Sequence, residues 1–292
     1  MATTANEASG AREAMRRRPI AAGDGWSVDE FVCTAGPDDR PYEERHDGFV
    51  IAAVLSGSFT YRGEAGEAPL YPGALLLGNH GRCYACGHAH SRGDRCVSLT
   101  FAPEAFAEIA ASAAGSSRFC FPAPAAPARR ELTPLIVDLE DLARKDLARE
   151  RSPLGIEEKA LTLAERALAY VSGHREAPAR ATARELSRVA EAARLIEARG
   201  DDDALDLSAL AGVAGLSKHH FLRVFRRVVG MTPHQYLLAA RLRRAAARLS
   251  GSSESVTAIA FDSGFSDLST FNAGFRAVFG LAPSEFRRRG GA

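Results

Sequence analysis

Residues 221–236, FLRVFRRVVGMTPHQY, recur in degenerate form at residues 271–286 as FNAGFRAVFGLAPSEF, at a constant offset of fifty positions. Upstream, LSALAGVAGLS at 207–217 matches VTAIAFDSGFS at 256–266 at an offset of forty-nine. The copies share phenylalanines, an arginine, a glycine and a proline at fixed spacing, which is the signature of an internal duplication. The last third of the chain is therefore predicted to contain two versions of one structural unit.

Each copy predicts a helix, a tight turn and a second helix. Gly215 and Gly264 stand where the turn between two helices can require a positive φ. Ser217 and Asp267 are suitable N-caps for the two second helices. Both second helices carry phenylalanines four positions apart that are predicted to face inward: Phe221, Phe225, Phe271 and Phe275. The residues between them would face outward, as they do at the start of a helix that reads the DNA major groove.

The segment between the copies, LLAARLRRAAARLS at 237–250, contains strong helix formers and no helix breaker. Fourteen residues of helix are about 21 Å long. A rod of this size could hold two recognition helices about one DNA turn apart, roughly 34 Å. Two reading elements in one chain would then occupy adjacent major grooves on one face of the DNA.

Charge is unevenly distributed along the chain, whose formal net charge is only +1. Residues 207–292 contain twelve lysines and arginines and four carboxylates, so this segment carries 12 − 4 = +8 and the remainder carries 1 − 8 = −7. A basic C-terminal segment in an otherwise acidic chain favours a polyanionic partner. Together with the duplicated helical unit, the charge predicts binding to double-stranded DNA.

The two copies resemble the C-terminal double helix-turn-helix domain of AraC-type transcriptional regulators. The second copy matches the signature of that family, from the Gly-Phe-Ser-Asp opening at 264–267 to the Phe…Phe…Gly…Pro…Phe ending. The resemblance covers about residues 184–289. The preceding strands, with LYPGALLLGN at 70–79, resemble the cupin-type sensor domain common in such regulators. The resemblance implies that RNA polymerase and a second copy of the chain are partners.

The resemblance also implies which residues contact DNA. In the first recognition helix these are Lys218, His219, Leu222 and Arg223, and in the second they are Leu268, Ser269, Asn272 and Ala273. Arg223 could bind guanine bidentately and Asn272 adenine, whereas Leu222 and Ala273 could make only apolar contacts. Phosphate contacts fit four further arginines better than base contacts do: Arg226, Arg227, Arg241 and Arg276. Arg241 could instead anchor the connecting helix through an ion pair.

The predicted fold class is α+β: an N-terminal cupin-like β-barrel or jelly roll, a helical connector and a C-terminal all-α double helix-turn-helix domain. The predicted boundaries are a flexible N-terminus at 1–24, a cupin-like sensor domain at 25–122, a linker and helical connector at 123–183 and the helix-turn-helix domain at 184–292. Short apolar strands separated by turns, such as FVIAAVL at 49–55, support the barrel. Leucines at helical spacing in the connector predict helices that either pack on the barrel or form a dimerisation face.

A cysteine- and histidine-rich stretch, CYACGHAHSRGDRC at 83–96, falls in the predicted sensor domain. In a cytoplasmic protein, clustered cysteines favour metal or thiol chemistry over structural disulfides. The first hypothesis is a tetrahedral site for zinc, or for another soft metal such as Cu(I). Its ligands would be Cys83, Cys86, Cys96 and His90, with His88 as the alternate histidine.

Two alternatives for this stretch remain open. A reactive dithiol would report oxidants, electrophiles or soft metals, and the neighbouring Arg82, Arg92 and Arg95 would lower the thiol pKa. Otherwise the stretch simply packs around a pocket for an organic effector. His46 and His80 could serve a cupin-like pocket, but we interpret them as satisfied or surface histidines.

The sequence contains no segment typical of a secretory signal or a membrane span, and its longest apolar run, at 49–55, is too short to cross a bilayer. A cytoplasmic protein without a membrane partner is expected. No Gly-rich phosphate loop, nucleophile elbow or HExxH motif occurs, so an enzyme is not expected. The rival interpretations are a metal-dependent cupin oxygenase or isomerase with an appended module, and an Ada-like repair regulator whose zinc-bound cysteine accepts an alkyl group.

Overall fold

The computed structural model describes residues 14–41, 43–88, 92–144, 153–173, 181–201 and 205–290. These residues fall into two compact units, one within Met1–Pro127 and Leu142–Arg180, the other within Ala128–Asp141 and Ala181–Ala292. The segment predicted as a connector, 123–183, is therefore divided between the two units. None of the described helices combines the length and the apolar character needed to cross a membrane.

The N-terminal unit contains two stacked antiparallel sheets. Its strands are β1 (Met15–Gly23), β2 (Trp26–Cys33), β3 (Glu43–Arg45), β4 (Phe49–Gly57), β5 (Phe59–Gly63), β6 (Gly66–Leu70), β7 (Leu75–Gly78), β8 (Cys83–Gly87), β9 (Asp94–Phe101) and β10 (Ala125–Ala126). One sheet has the order β1-β2-β9-β4-β7-β10 and the other β3-β8-β5-β6. The inward faces of both sheets share one apolar core, in which Val54, Phe59, Leu70 and Leu76 are buried. This arrangement confirms the predicted double-sheet β domain and the α+β class.

The first strand corrects the prediction of a flexible segment at 1–24. Residues 15–23 pair along their length with β2 and form an edge of the larger sheet. The strand was missed because MRRRPIAAG lacks an alternating apolar pattern. Cross-strand ion pairs attach it instead: Arg17 Nε lies 2.8 Å from Asp29 Oδ1, and Arg18 Nε lies 2.7 Å from Glu30 Oε2. Charged side chains of this kind are common on sheet edges, where they discourage further strand pairing.

The helices follow the last long strand. They are α1 (Pro103–Ala114), α2 (Thr133–Ala143), α3 (Pro153–Gly173), α4 (Ala183–Arg199), α5 (Leu207–Val213), α6 (Lys218–Val229), α7 (Pro233–Gly251), α8 (Val256–Asp262), α9 (Leu268–Phe279) and α10 (Pro283–Gly290). In the N-terminal unit α1 packs against α3, and Trp26 Nε1 donates to Glu157 Oε1 of α3 at 3.1 Å. The apolar stripes of α2 and α3 are buried within the single chain, as shown by Leu135, Leu139, Leu163 and Leu168. Part of both stripes therefore packs within the chain, α2 largely in the C-terminal unit rather than on the barrel, and the dimerisation face stays a prediction.

The C-terminal unit contains the two predicted helix-turn-helix copies. Helices α5 and α6 form the first, α8 and α9 the second, and α7 is the connecting rod. Gly215 and Gly264 have φ values of 59° and 91°, as the predicted turns require. The predicted core phenylalanines are fully buried in both copies: Phe221, Phe225, Phe271 and Phe275.

Helix α2 supplies an apolar side chain to the core of the second copy. Val137 is buried in the same cluster as Leu242 and Leu249 of α7, Ile259 of α8 and Phe271 of α9. Residues 128–141 accordingly belong to the C-terminal unit, although Leu142–Arg180 belong to the N-terminal one. The predicted domain start at 184 therefore leaves out part of the core of this unit.

Candidate nucleic-acid interface and the cysteine–histidine region

The first recognition helix, α6, begins at a serine cap and buries one face. The N–H of His220 donates to Ser217 Oγ at 3.4 Å, which ends the turn and satisfies one free amide of the first helical turn. Phe221, Val224 and Phe225 face the core. The side chains of the opposite face are exposed, and they include most of the predicted DNA contacts: Lys218, His219, Arg223, Arg226 and Arg227. Leu222 is half-buried.

The second recognition helix, α9, repeats this geometry with an aspartate cap. The N–H of Thr270 donates to Asp267 Oδ1 at 2.7 Å, and this hydrogen bond holds the pKa of the Asp267 carboxyl below its ordinary value. The predicted contacts Ser269, Asn272, Ala273 and Arg276 are exposed. Leu268 differs from them, because it is half-buried and packs against the apolar core of the second copy. It therefore has a structural role besides any contact with DNA.

The arginines of the unit divide into anchors and outward cations. Arg243 is nearly buried, donates from Nη2 to Glu197 Oε1 at 2.6 Å and lies over the ring of Tyr236. Arg241 donates from Nε to the backbone carbonyl of Gly200. This hydrogen bond favours the predicted anchoring of α7 over the predicted phosphate contact.

Arg227, also predicted to contact phosphate, forms an ion pair with Glu185 of α4. Since its guanidinium already has a protein partner, we keep it as the weakest member of the predicted phosphate set. In the described part of the chain, Arg223, Arg226 and Arg276 have neither a hydrogen-bond partner nor an ion-pair partner. Unpaired exposed cations of this kind fit contacts with a polyanion best.

The predicted metal ligands do not converge as the CxxC spacing suggested. Cys83 and Cys86 both lie in β8, where residues three positions apart point to opposite faces of the strand. Cys83 points toward Glu43 and Glu64, whereas Cys86 is partly buried and packs against the inter-sheet core that contains Cys96. A turn aiming both thiolates at one ion is therefore absent at 83–86. His90 lies outside the described residues.

A different set of donor groups comes together at this end of the sheets. His88 Nε2 lies 2.6 Å from Asp94 Oδ2, and both side chains are almost fully buried. The Cys33 sulfur lies within 4.8 Å of the ligand atoms of His88 and Asp94, and the Cys96 thiol donates to the other carboxylate oxygen, Asp94 Oδ1, at 3.4 Å. Burial alone would lower the pKa of His88, but its interactions with Asp94 and Cys33, above all the hydrogen bond that its ring donates to the Asp94 carboxylate, outweigh burial and raise that pKa to about 9.

The thiols of this region are not activated in the way that the neighbouring arginines suggested. Burial, followed by the charge of Asp94, raises the pKa of both Cys86 and Cys96. The pKa of Cys83 is also raised, by desolvation and by Glu43. The arginines expected to lower these pKa values are engaged elsewhere, since Arg82 pairs with Glu64 and Arg95 with Glu30. A low-pKa dithiol at Cys83 and Cys86 is therefore not formed.

The histidines outside the cluster agree with their predicted roles. His46 is buried, its Nε2 lies 2.7 Å from Tyr61 Oη, and its ring stacks on Tyr84 at 4.1 Å between centroids. Burial lowers the pKa of His46 to about 4, so the ring is neutral near pH 7. His80 is exposed and lies 2.9 Å from the carbonyl of Asp47. Neither joins the Cys33–His88–Asp94 cluster.

Two protein-family descriptions match this chain. The AraC-like ligand binding domain matches residues 28–164, and a helix-turn-helix domain matches residues 210–289. Taken together, these ranges cover more than half of the chain. The chain belongs to the AraC family. Membership of this family favours the regulator interpretation over the cupin enzyme.

The AraC-family chain is similar to two curated relatives over less than a third of its length. An uncharacterized HTH-type transcriptional regulator of Haemophilus influenzae is 35% identical over 82 residues, which cover 28% of this chain and 28% of that protein. The MmsAB operon regulatory protein of Pseudomonas aeruginosa is 35% identical over 85 residues, covering 29% of this chain and 28% of that protein. The matched segment is thus less than a third of the length of either relative. A solved DNA-binding domain of AdpA in complex with a target DNA is 30% identical and covers 35% of this chain and 91% of that chain, with a TM-score of 0.33.

The sequence interpretation missed two members of the buried cluster in this AraC-family chain. Cys33 and Asp94 are far apart along the chain and become neighbours only because β2 pairs with β9, where the two residues are opposite one another. A local motif could not reveal this pairing. The available signal in the sequence was weak: Cys33 ends one strand, and Asp94 begins another within the cysteine–histidine stretch.

Proposed function

We propose that this AraC-family chain is a sequence-specific transcriptional regulator that binds double-stranded DNA through α6 and α9. The observation that carries the proposal is the duplication of one capped, buried helix pair whose outward faces carry exposed arginines without a side-chain partner among the residues that the structure describes. Arg223, Arg226 and Arg276 all stand on these faces. No structural role within the described residues accounts for their positions.

The outward faces separate into base-reading and backbone-binding positions. Arg223 and Asn272 both lie in the first half of their helices. Arg223 has two donors for guanine, and Asn272 has one acceptor and one donor for adenine. Arg226 and Arg276 occupy equivalent places one turn later, where a positive charge fits the phosphate backbone. The proposal therefore assigns sequence preference to Arg223 and Asn272 and general affinity to Arg226 and Arg276.

The connecting helix has a length that suits two adjacent grooves. Helix α7 spans Pro233–Gly251, nineteen residues, and is therefore about 28 Å long. The capping box at Thr232 and Gln235 fixes the beginning of this helix. Major grooves on one face of DNA recur about every 34 Å, so a helix of this length fits a bipartite site of two half-sites.

The family and the relatives support the same assignment. The helix-turn-helix description covers both α6 and α9, and the Pseudomonas relative is named as a regulatory protein of an operon. By extension, RNA polymerase and a second copy of this chain are proposed partners at the promoter. Both belong to the proposal, and the DNA-binding faces described above do not depend on either.

The experiment that tests the function is selection from a random duplex library by the purified full-length protein at fixed salt. We expect one enriched motif with two half-sites about one helical turn apart, bound about 10³-fold or more tightly than random DNA. A variant carrying both Arg223→Ala and Asn272→Ala is the matched control, since both side chains are exposed and leave the core unchanged. Selection without a motif, or an equal motif from the variant, would contradict the proposal.

The input to the regulator is proposed to enter through the N-terminal domain, which matches the ligand-binding description of the family. The cysteine–histidine region offers a metal, a thiol or an alkyl acceptor as input. Desolvation raises the pKa of both Cys86 and Cys96, which disfavours both a nucleophilic dithiol and an alkyl acceptor that must meet DNA. A metal remains the best-supported input at this region, and a small organic effector is the alternative.

A further inference from the structure

A compact set of mixed donor groups lies at one end of the inter-sheet space of the N-terminal domain. Cys33 ends β2, His88 directly follows β8, and Asp94 begins β9. One ligand atom from each of the three side chains lies within 4.8 Å of the other two. In the described part of the chain, no other group of three or more histidine, cysteine and carboxylate side chains meets this distance.

Strand pairing holds two of the donors in place. Cys33 and Asp94 are directly opposite one another in the β2–β9 ladder. Gly93 allows the close approach, because it has a φ of 72° and a Cβ at this position would lie 2.9 Å from the carbonyl oxygen of Cys33. Since backbone pairing sets the positions of both residues, the site is rigid on this side before any ligand arrives.

The chemistry of the three donors suits a zinc-type ion. A thiolate, an imidazole nitrogen and a carboxylate oxygen are the three protein ligand types that Zn²⁺ accepts, with bonds of about 2.0–2.3 Å. Ligand atoms around a tetrahedral ion with such bonds lie about 3.2–3.8 Å apart. The observed separations within 4.8 Å therefore need only small side-chain movements.

The surroundings of the cluster resemble the outer support of a metal site. The Cys96 thiol donates to Asp94 Oδ1, which fixes the carboxylate and leaves Oδ2 directed at His88. The ring of Phe59 lies 5.8 Å from the ring of His88, between centroids. The side chains of His88 and Asp94 are only 4% and 8% exposed. Bulk water therefore has little access to these two side chains.

A plain buried ion pair explains only two of the three groups. His88 and Asp94 could stabilise one another without help, and replacing such a pair by apolar residues is often neutral or stabilising. Cys33 has no part in that explanation, yet its sulfur lies within 4.8 Å of the ligand atoms of both other groups. The convergence of a soft donor with a buried histidine and carboxylate is what a metal site requires.

We propose that Cys33, His88 and Asp94 bind one zinc-type divalent metal ion, with one coordination position left for water or a small ligand. Binding replaces the hydrogen bond between His88 and Asp94, and the protons of the Cys33 thiol and of the His88–Asp94 pair leave to solvent. The inference rests on the proposed function only in making this ion the input of the regulator. Cys83, on the opposite face of β8, has no part in the site.

The test uses Co²⁺ as a spectroscopic probe on full-length protein stripped of metal with a chelator, without DNA. We expect thiolate-to-Co²⁺ charge transfer in the near ultraviolet and intense visible bands of tetrahedral Co²⁺, at about one ion per chain. Cys33→Ser and Asp94→Asn should each weaken Co²⁺ binding about tenfold or more. The matched control is Cys83→Ser, in β8 on the face opposite to the cluster, and it should bind Co²⁺ unchanged.

A second measurement on the unsubstituted protein guards against variants that fold poorly. Zn²⁺ should slow alkylation of Cys33 strongly, as read by peptide mass spectrometry, and leave Cys83 and Cys120 alkylating at unchanged rates. The proposal is overturned if the protein shows no thiolate charge transfer with Co²⁺, or if Zn²⁺ protects Cys83 as well as Cys33. Since neither measurement involves DNA, failure here would leave the DNA-binding proposal standing.

Discussion

The two helix-turn-helix copies share a core but differ on the surface that meets solvent. In both, a glycine with positive φ forms the turn and a pair of fully buried phenylalanines holds the second helix. Outward, α6 carries Lys218, His219 and Arg223, whereas the same offsets in α9 hold Leu268, Ser269 and Ala273. Asn272 of α9 stands where α6 has Leu222. The duplication preserved what the fold needs and left the surface free to diverge.

The helix caps show the same separation between requirement and identity. Asp206 caps the first helix of the first copy and Ser217 caps its recognition helix. In the second copy the order is reversed, with Ser255 on the first helix and Asp267 on the recognition helix. Each position needs an oxygen acceptor, and either a hydroxyl or a carboxylate can supply it. The comparison therefore predicts that matched substitutions in the two copies have equal effects in the core and unequal effects on the surface.

The largest expected effect is on stability, and it should be equal in the two copies. Phe221→Ala and Phe271→Ala should each lower the free energy of unfolding by about 3–5 kcal/mol, because each removes a fully buried aromatic side chain. Urea unfolding followed by circular dichroism measures the change. Phe261→Ala is the control, since Phe261 is 48% exposed and its loss should change stability by no more than about 0.5 kcal/mol. A much smaller loss for one core variant than for the other would break the equivalence of the two cores.

The next effect is on base recognition, and it should be unequal. Arg223→Ala should weaken binding to the selected motif by about 1–3 kcal/mol and relax the preference at one base of one half-site. Ala273→Gly, at the equivalent place in α9, should not relax the preference at any base, because Ala273 has no side-chain hydrogen bond to lose. Competition binding with single-base variants of the motif measures both. If Arg223→Ala lowers affinity for motif and random DNA equally, the assignment of Arg223 to base reading is wrong.

A smaller and symmetrical effect is expected at the phosphate positions. Arg226→Ala and Arg276→Ala should each reduce the slope of log affinity against log salt concentration by about one, across all DNA sequences. Fluorescence anisotropy at several salt concentrations gives the slope. Arg227→Ala serves as the comparison, because Arg227 is engaged with Glu185 and should change the slope less. A change in sequence preference from Arg226→Ala would instead place that arginine on a base edge.

The smallest effect separates the two copies by pH. The Asp267 carboxyl has a pKa below its ordinary value of 3.8, because the N–H of Thr270 donates to it. Its stabilising contribution is therefore complete above that value and is lost as the pH falls through the lowered pKa. We expect the amide proton resonance of Thr270 to titrate in acid, whereas the amide of His220, capped by the Ser217 hydroxyl, does not. Asp267→Ser should remove this titration. If the Thr270 amide still titrates in that variant, another group controls the N-terminus of α9.

The C-terminal half could be predicted from sequence because its signals are local. A glycine in the turn, an oxygen-bearing cap two or three residues later and phenylalanines four apart each report on a few neighbouring residues. Four residues specify the second copy: Gly264, Asp267, Phe271 and Phe275. The first copy has the same pattern of turn glycine, cap and paired phenylalanines. The partners of Arg227 and Arg241 escaped prediction because they lie in α4 and at its end, about forty residues away.

The N-terminal half was harder because its site depends on which strands pair. The CxxC spacing suggested a chelating turn, but the backbone at 83–87 is extended and sends Cys83 and Cys86 to opposite faces. Cys33 and Asp94 became neighbours only through the β2–β9 ladder. The strand at 15–23 was hidden for a related reason, since it is held at the sheet edge by ion pairs rather than by an apolar pattern.

The place of Val137 in the chain has a consequence for dividing this protein. Because 128–141 precede Leu142–Arg180 and yet pack with Ala181–Ala292, the polypeptide passes between the two units three times rather than once. No single cut can release the DNA-binding half whole. A fragment that starts at residue 181 would leave a hole where Val137 fills the space beside Leu242 and Phe271, and a graft onto a new sensor would have to carry this earlier segment along.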